Sequence, residues 1–469
     1  MTTECTQSSF GFHPLYRREV VARFDGGDMT TDAGGLLLRE VEQRTRIVRQ
    51  LAACFTDHRN SERIEHSVEQ LIAQRVYGLA LGYEDLNDHD QLRRDPLIGM
   101  LLGKQDPKGD DRRREQDKGS AGAGKSTLNR LELTAAKVRD DERYKKIALD
   151  EEAVDRLLVD LFLQAQPEMP DRLVLDVDAT DDPVHGNQEG RFFHGYYREY
   201  CYLPLYIFCG EHLLCARLRS SNIDASAGAL EEVQRIVGQI RERWPEVKIA
   251  LRGDGGFCRD QIMTWCEGHR VDYVFGLAKN KRLMKIIGGQ LHQARQKYEE
   301  THRAARVFAD FRYRTRKTWQ GERRVVGKAE HLAKGANPRF VVTSLSGDEM
   351  EARQLYEEFY CARGEMENRI KEQQLALFAD RTSTSVMRSN QLRLYFSSFA
   401  YCLMQALRRL GLQGTEMAQA QCGTIRLKLL KIGAQIRVTV RKVWVSMASG
   451  CAWAAVFQQV YQNLAGVGS

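Results

Sequence analysis

The chain has 469 residues, which is enough for two or three domains with hydrophobic cores. A hydrophobic fraction of 42% excludes a disordered chain, and a formal net charge of +7 allows a nucleic-acid partner without requiring one. The eleven cysteines form no CxxC pair and the N-terminus has no apolar signal segment, so we expect reduced thiols, no structural zinc and an intracellular protein without a membrane span.

The N-terminal part is predicted to be mainly helical. Residues 17–25 are predicted as a strand, and the apolar spacing is helical after residue 35 and again over Glu62–Leu81. No group of catalytic side chains is found in this part.

Residues 103–126 form a polar, Gly-containing tract that predicts a flexible loop. The tract ends in GSAGAGKS, Gly119–Ser126, which matches the phosphate-binding pattern GxxxxGK[ST]. That pattern needs a buried strand before the loop, and the preceding DRRREQDK cannot form one. We therefore interpret Ser126 and Thr127 as the N-cap of the next helix and expect no nucleotide cofactor. ATP binding that depends on Lys125 is the open alternative.

The central part has the element order of an α/β layer. A helix near Glu151–Gln166 precedes three predicted strands, then a helix, a strand, a helix and a last strand. This order predicts a ribonuclease-H-like mixed sheet. The predicted bounds are Leu173–Asp178, Tyr200–Gly210 and His212–Ser220 for the three strands, Ala225–Arg243 and Arg259–Gly268 for the helices between strands, and 247–254 and Asp272–Ala278 for the last two strands.

Two of these strands end in aspartates. The first carries Asp176 and Asp178 on one face, because side chains alternate along a strand, and Asp181 and Asp182 follow. Like charges stacked in this way are unfavourable unless a cation neutralises them. Asp254 ends the fourth strand between two glycines, which allow close approach of a phosphate. A solvated loop at the first site and an ordinary turn aspartate at the second are the alternatives.

Residues 281–347 are predicted to be an inserted β-rich subdomain. Between Arg303 and Lys328 there are nine Lys or Arg residues against two acidic ones, with Phe311, Tyr313 and Trp319 interleaved. Basic strands with aromatic side chains are typical of a surface that follows a DNA backbone. The candidate DNA contacts are Arg312, Arg314, Arg316 and Lys317, and a solvated edge hairpin is the alternative.

A long helix is predicted over residues 348–377. Tyr360, Arg363, Glu367, Lys371 and Gln374 are spaced so that they share one face of it. A carboxylate among phosphate-binding groups fits metal-dependent phosphoryl transfer, and an exposed ladder of ion pairs is the alternative. The C-terminal part is predicted to be mainly helical, with a helix over Asn390–Leu410 and six basic residues in 425–442.

LDVDATDD, LRGDGGF and Y-x2-R-x3-E, in this order, resemble the catalytic motifs of DDE transposases from bacterial insertion sequences. The resemblance is to the group-1 DDE branch of the cut-and-paste superfamily with a β-domain inserted before the last catalytic helix. It covers most of the chain and includes DMTTDAGG and STLNRLE. It implies that Asp178, Asp254 and Glu367 are catalytic and bind metal, while Tyr360 and Arg363 bind phosphate. The family lysine falls on Gln374, so Lys371 is expected to substitute one turn earlier.

The resemblance also implies a function. We expect a transposase that binds insertion-sequence ends, cleaves DNA and joins 3′-OH ends to target DNA, using two Mg²⁺ ions or, alternatively, Mn²⁺. Its partners would be terminal inverted repeats, target DNA and a second copy in a synaptic homodimer, in the bacterial cytoplasm at the nucleoid. A nuclease without strand transfer and an inactive DNA-binding derivative are the alternatives. The expected regions are 1–166 (helical, DNA-binding), 167–280 with 348–380 (ribonuclease-H-like core), 281–347 (insert) and 381–469 (mainly helical).

Overall fold

The structure is a computed structural model that describes residues 9–134, 137 and 142–466. The chain forms two compact units. One comprises the described parts of 1–150, 376–378 and 399–469, and the other comprises 151–375 and 379–398. None of the described helices combines the length and the apolar character needed to cross a membrane.

Helices and short hairpins make up the N-terminal part of the first unit. In chain order it contains β1 (Phe10–Leu15), β2 (Arg18–Ala22), β3 (Met29–Thr30), α1 (Gly35–Thr45), α2 (Ile47–Ala53), β4 (Phe55–Asp57), α3 (Val68–Leu81), α4 (His89–Leu92), α5 (Pro96–Leu101), α6 (Lys125–Glu132) and β5 (Ile147–Leu149).

The second unit contains the large sheet. Its elements are α7 (Glu151–Ala165), β6 (Arg172–Ala179), β7 (Asp182–Pro183), β8 (Phe192–His194), β9 (Glu199–Tyr202), β10 (Leu205–Cys209), β11 (His212–Arg217), α8 (Ala229–Arg243), β12 (Lys248–Gly253), α9 (Asp260–Gly268), β13 (Val271–Leu277), α10 (Lys281–Ile286), α11 (Gly288–Thr301), β14 (Ala305–Tyr313), β15 (Arg323–Leu332), β16 (Gly335–Ala336), β17 (Arg339–Thr343), α12 (Ala352–Gln354) and α13 (Gly364–Lys371). The chain then continues through α14 (Met387–Leu410), α15 (Cys422–Ile425), β18 (Ala434–Val438), β19 (Val443–Met447) and α16 (Ala454–Ala465).

The large sheet has nine strands in the order β11-β10-β6-β12-β13-β17-β15-β14, with β16 paired to β15. Strand β6 is antiparallel to β10 and parallel to β12, which is parallel to β13. The prediction of a mixed α/β sheet is confirmed, and the predicted bounds of β6, β12 and β13 agree within one or two residues.

Alternating side chains give the sheet its core. Leu173, Leu175 and Val177 of β6 are buried among apolar residues of the helices that cover this face. Those residues include Phe162 of α7, Ile236 and Ile240 of α8, and Met263 of α9. Burial of such side chains contributes roughly 1.5–3 kcal/mol each. The opposite face of β6 therefore remains for Asp176 and Asp178.

Strands from 305–343 extend the same sheet. Strand β17 is antiparallel to β13, and β15 lies between β17 and β14. The strands of the predicted inserted subdomain, residues 281–347, belong to the same sheet as β13. That these residues form a subdomain of their own stays a prediction. Tyr313 and Trp319 pack edge to face in the core, and Phe311 is half-buried against it.

Helical winding over residues 352–376 is uneven, where the sequence predicts one regular helix. After α12 the backbone is π-helical over Leu355–Tyr360, 3-10 helical over Cys361–Arg363, α-helical in α13 and π-helical again over Glu372–Ala376. Interruptions by π-helical turns occur frequently at functional sites. The helix α13, which carries Glu367, therefore has a π-helical stretch before it and another after it.

The predicted strand over 17–25 is present as β2, the second strand of the hairpin β1–β2. The C-terminal part contains α14, α15 and α16 and also the hairpin β18–β19, which pairs with β3 and was not predicted. One local prediction is wrong. The N-cap of α6 is Gly124, so Ser126 and Thr127 lie inside the helix rather than capping it. The ten cysteines in the described residues form no disulfide, as expected.

Candidate functional site

Parallel pairing of β6 and β12 aligns the two predicted aspartates. Val177 and Gly253 are register partners, and each is followed by one of the acids, Asp178 or Asp254. Gly253 is needed at this position because a Cβ atom there would lie 2.9 Å from Cγ1 of Val177. The Asp254 side chain is fixed locally, since its Oδ1 accepts a hydrogen bond of 2.8 Å from the Gly256 amide. The sequence therefore places two carboxylates at adjacent strand ends.

A buried ion pair lies one step deeper along the same two strands. Arg252 Nε donates to Asp176 Oδ1 at 2.5 Å, and Arg252 Nη2 donates to Asp176 Oδ2 at 2.8 Å. Arg252 Nη1 also donates to the carbonyl oxygen of Phe359, directly before Tyr360. Burial raises the pKa of Asp176, and the hydrogen bond and charge of Arg252 oppose this shift. Arg252 thus connects β6, β12 and the irregular helical segment.

Arg363 brings the third predicted acid to the strand ends. Its Nη1 donates to Asp178 Oδ2 at 3.2 Å, and its Nη2 donates to Glu367 Oε1 at 2.9 Å. Glu367 follows one turn after Arg363 because α13 begins at Gly364. One guanidinium therefore joins Asp178 to Glu367, although Asp178 and Arg363 are 185 residues apart in the chain.

The three carboxylates influence one another electrostatically. Burial raises the pKa of Asp178 to about 6; Arg363 opposes the shift, while the charges of Asp254 and Glu367 add to it. For Arg363, burial disfavours the charged form, but Asp178, Tyr360 and Glu367 leave its pKa raised overall. Carboxylates that resist ionising together form a site that favours a cation. Arg363 supplies that positive charge in the structure.

Tyr360 closes one side of the site. A Cβ atom on Gly276 would lie 2.7 Å from the Tyr360 hydroxyl and 2.9 Å from the amide nitrogen of Gly255. Only a glycine at position 276 of β13 leaves room for this approach. Burial raises the pKa of Tyr360, and Arg363 opposes the shift while Asp254 adds to it. The phenol is therefore protonated at neutral pH and can donate a hydrogen bond.

All three candidate ligands offer carboxylate oxygen, the donor preferred by Mg²⁺ and Mn²⁺. Among the described residues, no three His, Cys, Asp or Glu side chains are placed to hold one metal ion without rearrangement. Arg363 contacts two of the three acids, Asp178 and Glu367, and the Glu367 side chain is 47% exposed. The chemistry of this donor set fits a divalent cation in the place that Arg363 occupies.

Other predicted site residues lie outside this cluster. Lys371 is exposed, and Gln374 Nε2 donates to the carbonyl oxygen of Asp181 at 3.1 Å. Glu365, the alternative to Glu367 that lies two residues away and faces elsewhere on the predicted helix, is 73% exposed and pairs with Arg369.

The predicted DNA-binding strand surface is only partly free. Arg312, Arg314, Arg316 and Lys317 are exposed. Arg323 and Arg324 are buried in ion pairs with Asp260 and Asp310, and Lys328 pairs with Glu330. Tyr313 and Trp319 are 4% and 6% exposed, so these two rings are not on the exposed surface of the basic strands. Their rings stabilise the protein core instead.

Sequence reasoning missed Arg252. A charged residue inside the apolar strand VKIALRG, two positions before Asp254, was the available signal. With side chains alternating along β12, Arg252 had to share the face of Asp254 and needed an acidic partner there. The register with β6 makes Asp176 that partner.

Comparison of the sequence with models of known protein families gives a match over nearly the whole chain. The family model described as transposase DDE domain group 1 matches residues 12–469. No curated protein matches the chain.

Proposed function

The chain belongs to the family of transposases with a group 1 DDE domain, and from this premise we propose that Asp178, Asp254 and Glu367 are its catalytic carboxylates. The proposed reaction is cleavage of DNA at the ends of a transposable element, followed by attack of the freed 3′-OH on target DNA. The observation that carries the assignment is the contact of one guanidinium, that of Arg363, with both Asp178 and Glu367.

The proposed fold of the core is ribonuclease-H-like. Counted from β6, the five strands β6, β10, β11, β12 and β13 lie in the spatial order 3-2-1-4-5, with the second strand antiparallel to its neighbours. In this arrangement the first and fourth strands are adjacent and parallel, which supports the pairing of Asp178 with Asp254. Strands β17, β15 and β14 would then be an extension of this sheet that precedes the segment carrying Glu367.

Divalent ions held by the three carboxylates would activate the attacking oxygen and stabilise the leaving oxygen of the phosphodiester. Arg363, once its two carboxylates hold a cation, is free to donate both Nη groups to a phosphate oxygen pair. The protonated Tyr360 hydroxyl, held against Gly276, can donate a hydrogen bond to the same phosphate. Arg252 keeps the backbone before Tyr360 in register with the two strands.

Exposed Arg312, Arg314, Arg316 and Lys317 remain proposed contacts to the DNA backbone. The partners of this proposal are the element ends and target DNA, and a second copy of the chain would be needed to bring two ends together. Lys371, exposed one turn after Glu367, is proposed to contact phosphate in place of the lysine that the family has at 374.

A cleavage and joining assay tests this function. Duplex DNA bearing an element end is incubated with the wild type, Asp254→Asn or Glu365→Gln, with Mg²⁺ or with EDTA. We expect Mg²⁺-dependent cleavage and joining by the wild type and by Glu365→Gln, which removes an exposed carboxylate two positions from Glu367, and neither reaction by Asp254→Asn. Full cleavage by Asp254→Asn would remove the proposal. Cleavage without joining would indicate a nuclease, and DNA binding without nicking would indicate an inactive derivative.

A further inference from the structure

A cavity lies within the first compact unit. It has a volume of about 650 Å³ and is formed by residues 59–66, by α4 and the residue after it, by the loop at 112–117 and by residues 124–130 of α6 and its N-cap. The start of α6 is the end of the GSAGAGKS tract, which the proposed chemistry does not use. We refer to this cavity as the α6 pocket.

Positive charge dominates the α6 pocket. Seven cationic side chains line it against three acidic ones. The acids are Glu65, Asp90 and Asp117, and the cations are Arg59, Arg63, Arg93, Arg112, Arg114, Lys125 and Arg130.

The three acids are already engaged. Arg112 lies 2.6 Å from Glu65 and 3.8 Å from Asp117, and Lys125 lies 3.6 Å from Asp90. Arg63 and Arg114 are exposed and have no ion-pair partner within the described part of the chain. The positive potential of the pocket is therefore not cancelled by its own walls.

Hydrogen-bond donors are also in excess. Arg112 Nη1 lies 2.9 Å from His66 Nε2, and since a guanidinium only donates, that ring nitrogen must accept. The ring proton is then on Nδ1, which is buried and has no acceptor among the described residues. Burial and the nearby Lys104 and Arg112 lower the pKa of His66 to about 3, so the ring is neutral. Nε of Arg93 and Nε of Arg112 are likewise buried without an acceptor in the described structure.

The lining of the α6 pocket suits a phosphate group and offers no surface for a nucleobase. Its lining is polar or charged apart from Gly124, with no Phe, Tyr or Trp ring and no large aliphatic side chain to hold a nucleobase. The Lys125 amide donates to Asp90 Oδ1 at 3.0 Å, so the helix terminus is partly capped and is not itself a nucleotide phosphate loop. The pocket offers positive charge and hydrogen-bond donors but no surface for a base. It therefore suits a phosphate group whose parent molecule lies mostly outside the pocket.

We propose that the α6 pocket binds a backbone phosphate of DNA. The identity of DNA as the source of that phosphate rests on the proposed transposase function, whereas the pocket's preference for phosphate rests on its own residues. Arg63 and Arg114, exposed at its edge, hold the phosphate by charge rather than by reading bases, so binding through this pocket is independent of sequence.

DNA binding in EDTA tests the proposal separately from catalysis. Anisotropy titrations of the full chain use an end-bearing duplex and an unrelated duplex at several salt concentrations. The double variant Arg63→Gln/Arg114→Gln is compared with Arg49→Gln/Arg94→Gln, which removes two exposed arginines of the same unit that do not line the pocket. We expect the pocket variant to weaken binding to both duplexes by about 10-fold and to lower the salt-dependence slope by roughly 1–2. The matched variant should change neither quantity to that extent.

Equal weakening by the two double variants would overturn the proposal, because it would show only a general effect of charge. So would unchanged DNA binding by the pocket variant. A melting-temperature increase with pyrophosphate or ATP that the pocket variant loses, without any change in DNA binding, would identify free phosphate as the ligand and would also contradict it. Absence of Mg²⁺-dependent cleavage by the wild type, with DNA binding weakened in the pocket variant and not in the matched variant, would count against the proposed function and leave the pocket in place.

Discussion

Asp176 and Asp178 lie two residues apart on one face of β6, and each contacts an arginine, yet their surroundings differ. Asp176 is buried and held by two hydrogen bonds from Arg252, which belongs to the neighbouring strand. Asp178 lies at the strand end, where Arg363 gives it one contact of 3.2 Å and shares its other nitrogen with Glu367. The inner pair is complete, whereas the outer group has three carboxylates for one arginine.

This difference separates a complete buried ion pair from a group of carboxylates that one arginine only partly neutralises. A buried ion pair with all its hydrogen bonds made has no capacity for another cation. The charges of Asp254 and Glu367 raise the pKa of Asp178. Added positive charge would therefore stabilise the ionised Asp178 carboxylate. Position along one strand therefore assigns Asp176 to holding the elements together and Asp178 to the proposed chemistry.

The largest expected effect is on activity at the outer group. We expect Asp178→Asn to lower the rate of Mg²⁺-dependent cleavage by about 10⁴-fold, equivalent to ~5.5 kcal/mol of transition-state stabilisation. Its thermal stability should equal or exceed that of the wild type, because a charge that is costly to bury is removed. Rates from gel-resolved cleavage and melting curves from circular dichroism give both numbers. A variant that cleaves normally, or that fails to fold, would contradict the assignment.

At the inner pair the expected effect is on stability. Arg252→Met leaves the Asp176 carboxylate buried and unpaired, and we expect it to lower the free energy of unfolding by about 3–5 kcal/mol. The double change Asp176→Leu/Arg252→Met should recover most of that loss, because no buried charge remains. Urea denaturation measures both. If the double variant were as unstable as the single one, the carbonyl contact to Phe359 would outweigh the ion pair.

A smaller effect is expected from Arg363→Lys. An ammonium group keeps the charge but cannot contact Asp178 and Glu367 with two nitrogens in one plane. We expect cleavage to slow by about 10–100-fold, the range for losing one charged hydrogen bond, with unfolding free energy changed by less than about 1 kcal/mol. Equal losses in Arg363→Lys and Arg252→Lys, in both activity and stability, would erase the distinction between the two arginines.

The smallest effect is a pH dependence of stability in EDTA. The pKa of Asp178 is raised to about 6 in the folded chain, above the 3.8 of an unburied aspartate, so the folded state binds the proton more tightly. Stability from this residue is therefore greatest below about pH 4 and falls by about 1–3 kcal/mol as the pH rises towards 6. Asp178→Asn should remove that part of the pH profile. An unchanged profile in the variant would show that another group titrates there.

Local patterns in the sequence predicted several strands of the large sheet and the helical face that carries Arg363 and Glu367. The apolar run before Asp178 and the glycines around Asp254 predict strand ends, and both strands are present within two residues of the predicted bounds. The spacing of Tyr360, Arg363 and Glu367 predicts a shared helical face, and Arg363 does contact Glu367 one turn away.

Predictions failed where the partner is remote in the chain. Arg323 looks like a DNA contact until Asp260, 63 residues earlier, is seen to neutralise it. Tyr313 and Trp319 alternate with basic residues, but which side of β14 and the following loop faces the core depends on tertiary packing. The π-helical turns before and after α13 are not revealed by residue periodicity, and neither is the contact of Arg252 with the carbonyl oxygen of Phe359.

Metal rescue tests the central claim most directly, namely that residues 178, 254 and 367 hold the divalent ions. In Asp178→Cys a thiolate replaces a carboxylate, and thiolate binds Mg²⁺ poorly but Mn²⁺ better. We expect this variant to be inactive in Mg²⁺ and to regain cleavage in Mn²⁺, whereas Asp176→Cys should show no such preference between the ions. A folded Asp178→Cys protein that cleaves equally well in both ions, or that Mn²⁺ leaves inactive, would contradict the account.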